Sequence, residues 1–166
     1  MVVIGRETLL QLIAEKQLVT NMIDPEIQVS PNGVELTLHE IFKFRGPGII
    51  DFSNRDRQIP EYEKLELRGE KYEVDPGTYI VTYNETVSIP TDMIAIGRPR
   101  SSLLRSGVTV ESAVWDAGYE GRSRGLLTVY NPHGFTLKPN ARLLHLVFFK
   151  LNQETQSYAG VYQGES

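Results

Sequence analysis

The chain has 166 residues, of which 40% are hydrophobic and 23% are charged, a balance typical of one globular domain with its own core. The net charge is -4, so the surface lacks the basic character of a nonspecific duplex nucleic-acid binder. There is no cysteine, which excludes disulfides, thiolate catalysis and cysteine-ligated metals. With no apolar leader or membrane-length run, we predict a cytoplasmic protein that contacts neither membrane nor nucleic acid.

The predicted elements begin with a helix over Glu7 to Gln17, one face of which carries Leu9, Leu10, Ile13 and Ala14. Short apolar runs separated by Gly, Pro, Asn and Asp follow, a pattern typical of strands joined by turns. The predicted strands cover 34–38, 49–52, 78–83, 93–96, 108–115, 126–130 and 143–149. We therefore predict one mainly β domain over residues 1–166, a sandwich or barrel, with one N-terminal helix within residues 1–20.

The last ten residues, 157–166, are polar and contain glycine without a clear period. Two interpretations stay open for this tail. It is either a frayed terminus or a mobile segment that becomes ordered over a ligand.

The strongest candidate for an anion site is the segment 97–105, Gly-Arg-Pro-Arg-Ser-Ser-Leu-Leu-Arg. Serine hydroxyls and free N–H groups at a helix start can hold phosphate, and flanking arginines supply positive charge. The candidate residues are Arg100, Ser101, Ser102 and Arg105. An N-capped surface turn with solvated arginines explains the same pattern equally well, and the spacing is not that of a P-loop.

A second candidate lies in the segment 111–121, where an apolar run leads Asp116 into a turn with Gly118. A carboxylate fixed at a strand end can act as a general base toward water, and Tyr119 can pack on a sugar or base. Aspartate in such turns more commonly bonds to backbone N–H groups, and this segment alone favours that interpretation.

Metal-dependent chemistry finds little support in the sequence. The three histidines, His39, His133 and His145, have no metal-ligand spacing. The zinc nucleobase deaminases require cysteines, so their chemistry is excluded. Glutamates that alternate with Lys and Arg over residues 61–73 predict a solvated face.

Five segments, taken in order, carry a resemblance. Residues 100–105, Arg-Ser-Ser-Leu-Leu-Arg, and residues 115–121, Trp-Asp-Ala-Gly-Tyr-Glu-Gly, are similar to two motifs of the dUTPase/dCTP-deaminase superfamily. Residues 31–36, 141–148 and 158–164 resemble its first motif, a late strand and the tail of its deaminase branch, with Glu35 at a usual aspartate and His145 at a usual glutamine. Taken together, the five segments most resemble those of an archaeal-type dUTPase of the dCTP-deaminase-like branch.

This resemblance implies a distorted jelly-roll β-barrel that assembles as a homotrimer with active sites between subunits. The implied ligand is a pyrimidine deoxynucleoside triphosphate, with Mg²⁺ held mainly by the triphosphate and no protein metal ligands. The resemblance assigns the phosphates to Arg100, Ser101, Ser102 and Arg105, and the pyrimidine to the backbone around Ser112. It assigns the sugar and the reacting water to Asp116 and Tyr119, with Tyr158 and Gln163 of the tail as further substrate-binding candidates.

Thr128 separates the two chemistries of the superfamily. Deaminases of this branch carry a glutamate three residues before an asparagine. Residues 126–131 of this chain are Leu-Leu-Thr-Val-Tyr-Asn, so Thr128 occupies the position of that glutamate. Thr128 is therefore a substrate-binding candidate. A threonine hydroxyl is no general base near neutral pH, which favours a dUTP diphosphatase that uses Asp116 to activate water. A dCTP deaminase, a bifunctional enzyme in which Glu111 or Glu120 reaches the base, and a non-catalytic regulatory trimer stay open.

Overall fold

The computed structural model of the chain describes residues 2–166, in which β-strands predominate. The first half contains β1 (Val2–Val3), α1 (Arg6–Lys16), β2 (Val19–Thr20), α2 (Pro25–Gln28), β3 (Val29–Ser30), β4 (Gly33–Arg45), β5 (Glu61–Lys64), β6 (Tyr72–Val74) and β7 (Gly77–Tyr83). The second half contains β8 (Thr86–Ser88), β9 (Met93–Pro99), α3 (Ser101–Arg105), β10 (Val108–Glu111), β11 (Val114–Trp115), β12 (Glu120–Gly121), β13 (Arg124–Val129), β14 (Phe135–Leu137) and β15 (Arg142–Lys150). The mainly β fold with a leading helix is confirmed.

One large antiparallel sheet organises the chain, with the strand order β10-β13-β7-β4-β15-β9-β11. Strand β4 is 13 residues long and changes partner along its length, from β15 to β7 and then to β5. The register shifts between Leu38 and Glu40 on β4, and again between Arg142 and Leu144 on β15. Because such bulges bend strands and increase their twist, the sheet curls around the core as in a jelly roll.

The core lies inside this curled sheet. Alternate residues of β4 are fully buried, and β15 contributes a matching row, the two sets being Val34, Leu36 and Leu38 with Leu144, Leu146 and Phe148. Each such side chain contributes about 1.5–3 kcal/mol relative to leaving it exposed. The pairing of β4 with β15 therefore anchors the fold.

The predicted strand over residues 49–52 is wrong. This segment belongs to the loop between β4 and β5, where only an isolated bridge joins Ile49 to Gln58. Ile50 and Phe52 are exposed there. The apolar run suggested a strand, but the sequence Gly46-Pro47-Gly48 before it disfavours continuation of β4, and the run has no buried face to join.

Two other boundaries also differ. The helix runs over Arg6–Lys16, buries Leu9 completely and leaves Ala14 exposed, so the predicted apolar face is correct only in part. The predicted strand over 108–115 divides into β10 and β11 because the chain changes partner, from β13 to β9.

Two short helices, α2 and α3, add to the one predicted. None of the helices within residues 2–166 is long and apolar enough to cross a bilayer.

A buried glutamate joins three distant segments of the fold. Glu85, in the turn between β7 and β8, is 1% exposed. Its carboxylate accepts hydrogen bonds from the Thr37 amide at 2.8 Å, the Thr37 hydroxyl at 2.6 Å and the Gln28 side-chain amide at 2.7 Å. Burial raises the pKa of Glu85 above the ordinary glutamate range, and these donors offset part of that rise.

The raised pKa of Glu85 predicts the direction in which its contribution to folding stability changes with pH. Because the folded chain holds the Glu85 proton more tightly than the unfolded chain, this group's contribution to stability falls as pH rises through its folded-state pKa. Glu85→Gln removes that dependence. The free energy of unfolding of Glu85→Gln relative to wild type should therefore increase from about pH 4 to pH 7, measured by urea unfolding. A relative decrease over the same range would mean that the three donors lower the pKa instead.

Candidate functional site

A cavity of about 650 Å³ opens beside the turn that follows β11. Three of the predicted site residues line it, Asp116, Tyr119 and Tyr158. The other lining residues are Ile59, Tyr62, Ile80, Ala113, Val114, Trp115, Ser123, Arg124, Tyr162 and Glu165. A mostly apolar cavity of this size with a few polar groups has the usual character of a small-molecule site.

Backbone hydrogen bonds close the turn that presents Asp116. The Tyr119 amide donates to the Asp116 carbonyl at 3.1 Å, and the Gly118 amide donates to the Ile89 carbonyl at 2.9 Å. Gly118 has a φ of +79°, a conformation that favours glycine. The backbone thus satisfies its own turn, and the carboxylate of Asp116 is exposed at the cavity.

Tyr119 forms a wall of the cavity and is held on two sides. Its hydroxyl accepts from the Ser123 hydroxyl at 3.2 Å, and Ser123 accepts from the Trp115 indole N–H at 2.5 Å. Its ring packs edge to face on Tyr158, with 5.7 Å between the ring centroids. Burial raises the pKa of Tyr119, so the phenol stays neutral and offers a flat apolar face.

The tail closes over the cavity of its own chain. The Tyr158 amide donates to the Ala117 carbonyl at 2.8 Å. The Gln163 side chain bridges the turn, since its amide donates to the Gly118 carbonyl at 3.1 Å and its oxygen accepts from the Glu120 amide at 3.2 Å. In this structure the tail is therefore docked on the Asp116 turn and is not a frayed terminus.

Sequence analysis missed a cationic side chain in the cavity, Arg124. Its Nε lies 2.6 Å from a carboxylate oxygen of Glu165, and its guanidinium lies 5.4 Å from the centroid of the Tyr62 ring. These partners come from the tail and from β5, more than 35 residues away on either side. The sequence carries no local signal for such a contact.

A smaller cavity of about 300 Å³ adjoins the first and shares Ile80, Ala113 and Arg124 with it. Ser112 and Glu111 also line it. Ser112 and Ala113 lie between β10 and β11, outside the strand pairings of both, so their backbone groups are available to a ligand. The Ser112 hydroxyl is buried without a hydrogen-bond partner in the described chain, as at a site that a ligand completes.

The predicted phosphate residues lie elsewhere. Arg100 is the N-cap of α3, and Ser101, Ser102 and Arg105 are exposed on that helix. None of the four lines either cavity. Trp115 pairs with Ala95 on β9, and Arg100 lies five residues beyond Ala95, about 16 Å away at the rise of a strand.

Thr128 and the histidines are also outside both cavities. Thr128 lies in β13, paired with Thr109 and Thr78, and is 9% exposed. His39 lies 3.2 Å from Asn84, and His145 lies 3.5 Å from the Ser30 hydroxyl. Across residues 2–166, no group of three or more His, Asp or Glu side chains is arranged to hold a metal ion.

The curled antiparallel sheet and the carboxylate-bearing turn beside an aromatic cavity define the class, a mainly β protein with a small-molecule site. The model of the dCTP deaminase-like family matches residues 3–151, and the chain belongs to that family.

Two archaeal relatives are named as probable deoxyuridine 5′-triphosphate nucleotidohydrolases. That of Methanosarcina mazei is 49% identical over 155 residues, 92% of this chain and 91% of its own. That of Archaeoglobus fulgidus is 43% identical over 166 residues, 100% of this chain and 98% of its own.

A solved structure shares the fold. The crystal structure of 2′-deoxycytidine 5′-triphosphate deaminase from Agrobacterium tumefaciens superposes with a TM-score of 0.66 at 20% identity. The match covers 88% of this chain and 47% of that one, so this chain spans about half the length of the deaminase.

Gly118 is the position where the turn and the tail meet, and its substitution should release the tail. A Cβ at Gly118 would overlap Ser157, and the positive φ adds backbone strain. We expect Gly118→Ala to speed chymotrypsin cleavage at Tyr158 and Tyr162 about fivefold or more, since the strain exceeds roughly 1 kcal/mol.

Gly69→Ala is the matched control. Gly69 also has a positive φ, +65°, but a Cβ there meets nothing within 4 Å. Equal cleavage rates in the two variants would mean that the tail does not depend on the Gly118 contact.

Proposed function

We propose that this chain is a dUTP diphosphatase, which hydrolyses dUTP to dUMP and pyrophosphate. The observation that carries the proposal is the exposed carboxylate of Asp116, held by a backbone-closed turn at the edge of an aromatic cavity. The names of the archaeal relatives support the choice of substrate. The enzyme would act on the nucleotide pool of the cytoplasm.

The two cavities suggest how a deoxynucleoside binds. The base would enter the smaller cavity, where the unpaired backbone of Ser112 and Ala113 meets its edge. Uracil and cytosine differ in donors and acceptors on that edge, and the wrong base would leave a buried backbone group without a partner. The deoxyribose would then lie on Tyr119, and contact with this ring would exclude a 2′-hydroxyl.

Asp116 would act on the water that attacks the α-phosphorus. The carboxylate accepts a proton from the water as the new P–O bond forms, and pyrophosphate leaves from the opposite side. Mg²⁺, bound mainly through triphosphate oxygens, would stabilise the negative charge that develops on the phosphates. Of the two carboxylates lining the main cavity, Glu165 is already paired with Arg124, which leaves Asp116 for this role.

A second copy of the chain would supply the phosphate site. Arg100, Ser101, Ser102 and Arg105 would hold the triphosphate at the start of α3. Along β9 that segment lies about 16 Å from the turn of Asp116, and none of these four residues lines either cavity of the same chain. A homotrimer in which each site combines the turn of one subunit with α3 of another would complete the site, and Tyr158 and Gln163 would close the tail over the bound substrate.

A bifunctional enzyme is the second candidate, and Glu111 is the observation that favours it. Glu111 lines the smaller cavity next to Ser112, whereas Thr128 lines neither cavity. A carboxylate near the base could activate water for attack on the ring of dCTP. Substrate tests must therefore include dCTP.

Asp116→Asn should separate binding from hydrolysis. We expect the turnover of dUTP with Mg²⁺ to fall about 10²–10⁴-fold, because the amide cannot take up the proton, while dUTP binding remains. The assay follows pyrophosphate and dUMP, with Asp92→Asn, at a surface ion pair with Lys150, as the control. Turnover of dCTP that survives Asp116→Asn and disappears in Glu111→Gln would instead identify a deaminase.

Mixing two inactive variants tests the intersubunit site. Asp116→Asn and Arg100→Ala should each be inactive alone. Co-refolded mixtures should regain activity, because a fraction of the mixed sites takes Asp116 from one subunit and Arg100 from another. No recovery in mixed assemblies would place both residues in the same chain's site.

A further inference from the structure

Glu35 joins two arginines beside the start of α3. One of its carboxylate oxygens lies 2.7 Å from the Nε of Arg100, and the other lies 2.8 Å from an Nη of Arg142. The Glu35 side chain is 13% exposed. Because both guanidinium groups contact the same carboxylate, they lie side by side.

The three residues come from separate parts of the fold. Glu35 lies on β4 directly across from His145 of β15, Arg142 begins β15, and Arg100 follows β9. The Arg100 backbone amide also donates to the Leu143 carbonyl at 3.1 Å, which fixes the backbone from which its side chain extends. The cluster is therefore built on the most deeply buried part of the sheet.

The geometry of the contact leaves Arg100 able to bind an anion. Glu35 contacts the Nε of Arg100, and within residues 2–166 neither terminal nitrogen of Arg100 has a hydrogen-bond partner. A guanidinium binds phosphate through a fork of N–H groups, and a side chain fixed at Nε loses less rotamer freedom when it does so. Two cations on one carboxylate also leave a surplus positive charge next to the hydroxyls of Ser101 and Ser102.

We infer that Glu35 is a positioning residue for the phosphate site, and that Arg142 binds the substrate polyphosphate together with Arg100. The inference rests on the proposed function, since it takes the segment at α3 as the phosphate site.

The test uses two probes that divide the substrate, inorganic pyrophosphate for the phosphate site and deoxyuridine for the nucleoside site. Calorimetric titration of full-length Glu35→Gln should show pyrophosphate affinity reduced about tenfold, because the two arginines lose their anchor. Deoxyuridine affinity should stay within about twofold of wild type, and KM for dUTP should rise more than kcat falls. Arg142→Gln should reproduce the selective loss.

Glu26→Gln is the matched control, because Glu26 pairs with Arg6 at 3.2 Å but is 85% exposed. It should leave both affinities unchanged. If Glu35→Gln does not fold, Glu35→Asp replaces it, and the same selective loss of pyrophosphate binding is expected from the shorter side chain.

Unchanged pyrophosphate affinity, or an equal loss for both probes, would overturn the inference while leaving the proposed function intact. Neither probe requires turnover. A wild-type chain that binds neither probe would overturn the inference and the proposed function together, whereas one that binds both without hydrolysing dUTP would contradict only the diphosphatase.

Discussion

The antiparallel pairing of β9 with β11 on one side and β15 on the other controls the geometry of the site. Because Trp115 pairs with Ala95, the Asp116 turn lies toward the start of β9. The arginine segment follows the end of the same strand. The fixed strand rise thus keeps Asp116 and the arginine segment apart within one chain. A shift of the β9–β11 register would move Asp116 relative to the arginine segment.

In the proposed function, that separation divides the recognition of the substrate between two surfaces. The proposed nucleoside surface is largely aromatic and carries unpaired backbone groups, and the tail lies over it. The proposed phosphate surface is cationic, and two of its arginines, Arg100 and Arg142, contact the carboxylate of Glu35. In the proposed homotrimer, the complete site exists only in the assembled state, and so does the binding energy of the phosphates. The acidic net charge is then no obstacle, because the local cluster and not the whole surface provides the attraction.

Much of the fold could be predicted from the sequence because strand periodicity and turn residues are local signals. The helix, the strands around 78–83 and 143–149, and the Asp116 turn follow from such signals. Residues 49–52 misled the prediction, since an apolar run looks the same whether or not a neighbouring strand exists to cover it. The contact of Arg124 with Glu165 and the double ion pair of Glu35 could not be predicted. Each joins residues more than 35 positions apart, and only the completed fold brings them together.

The choice between hydrolysis and deamination depends on which atom of the substrate a carboxylate can reach. Thr128 lies in β13, pairs with Thr78 of β7 and lines neither cavity. The position that resembles that of the deaminase glutamate therefore carries no general base in this chain. Glu111 does line the smaller cavity, but it ends β10, and its peptide is tied to β13 by pairing with Leu126. Its carboxylate is exposed, as is that of Asp116. Asp116 is held by a turn that two backbone hydrogen bonds close, and it lines the larger cavity. General-base catalysis depends first on such fixed geometry. The rigidity of the turn, more than the number of carboxylates nearby, therefore favours attack at phosphorus.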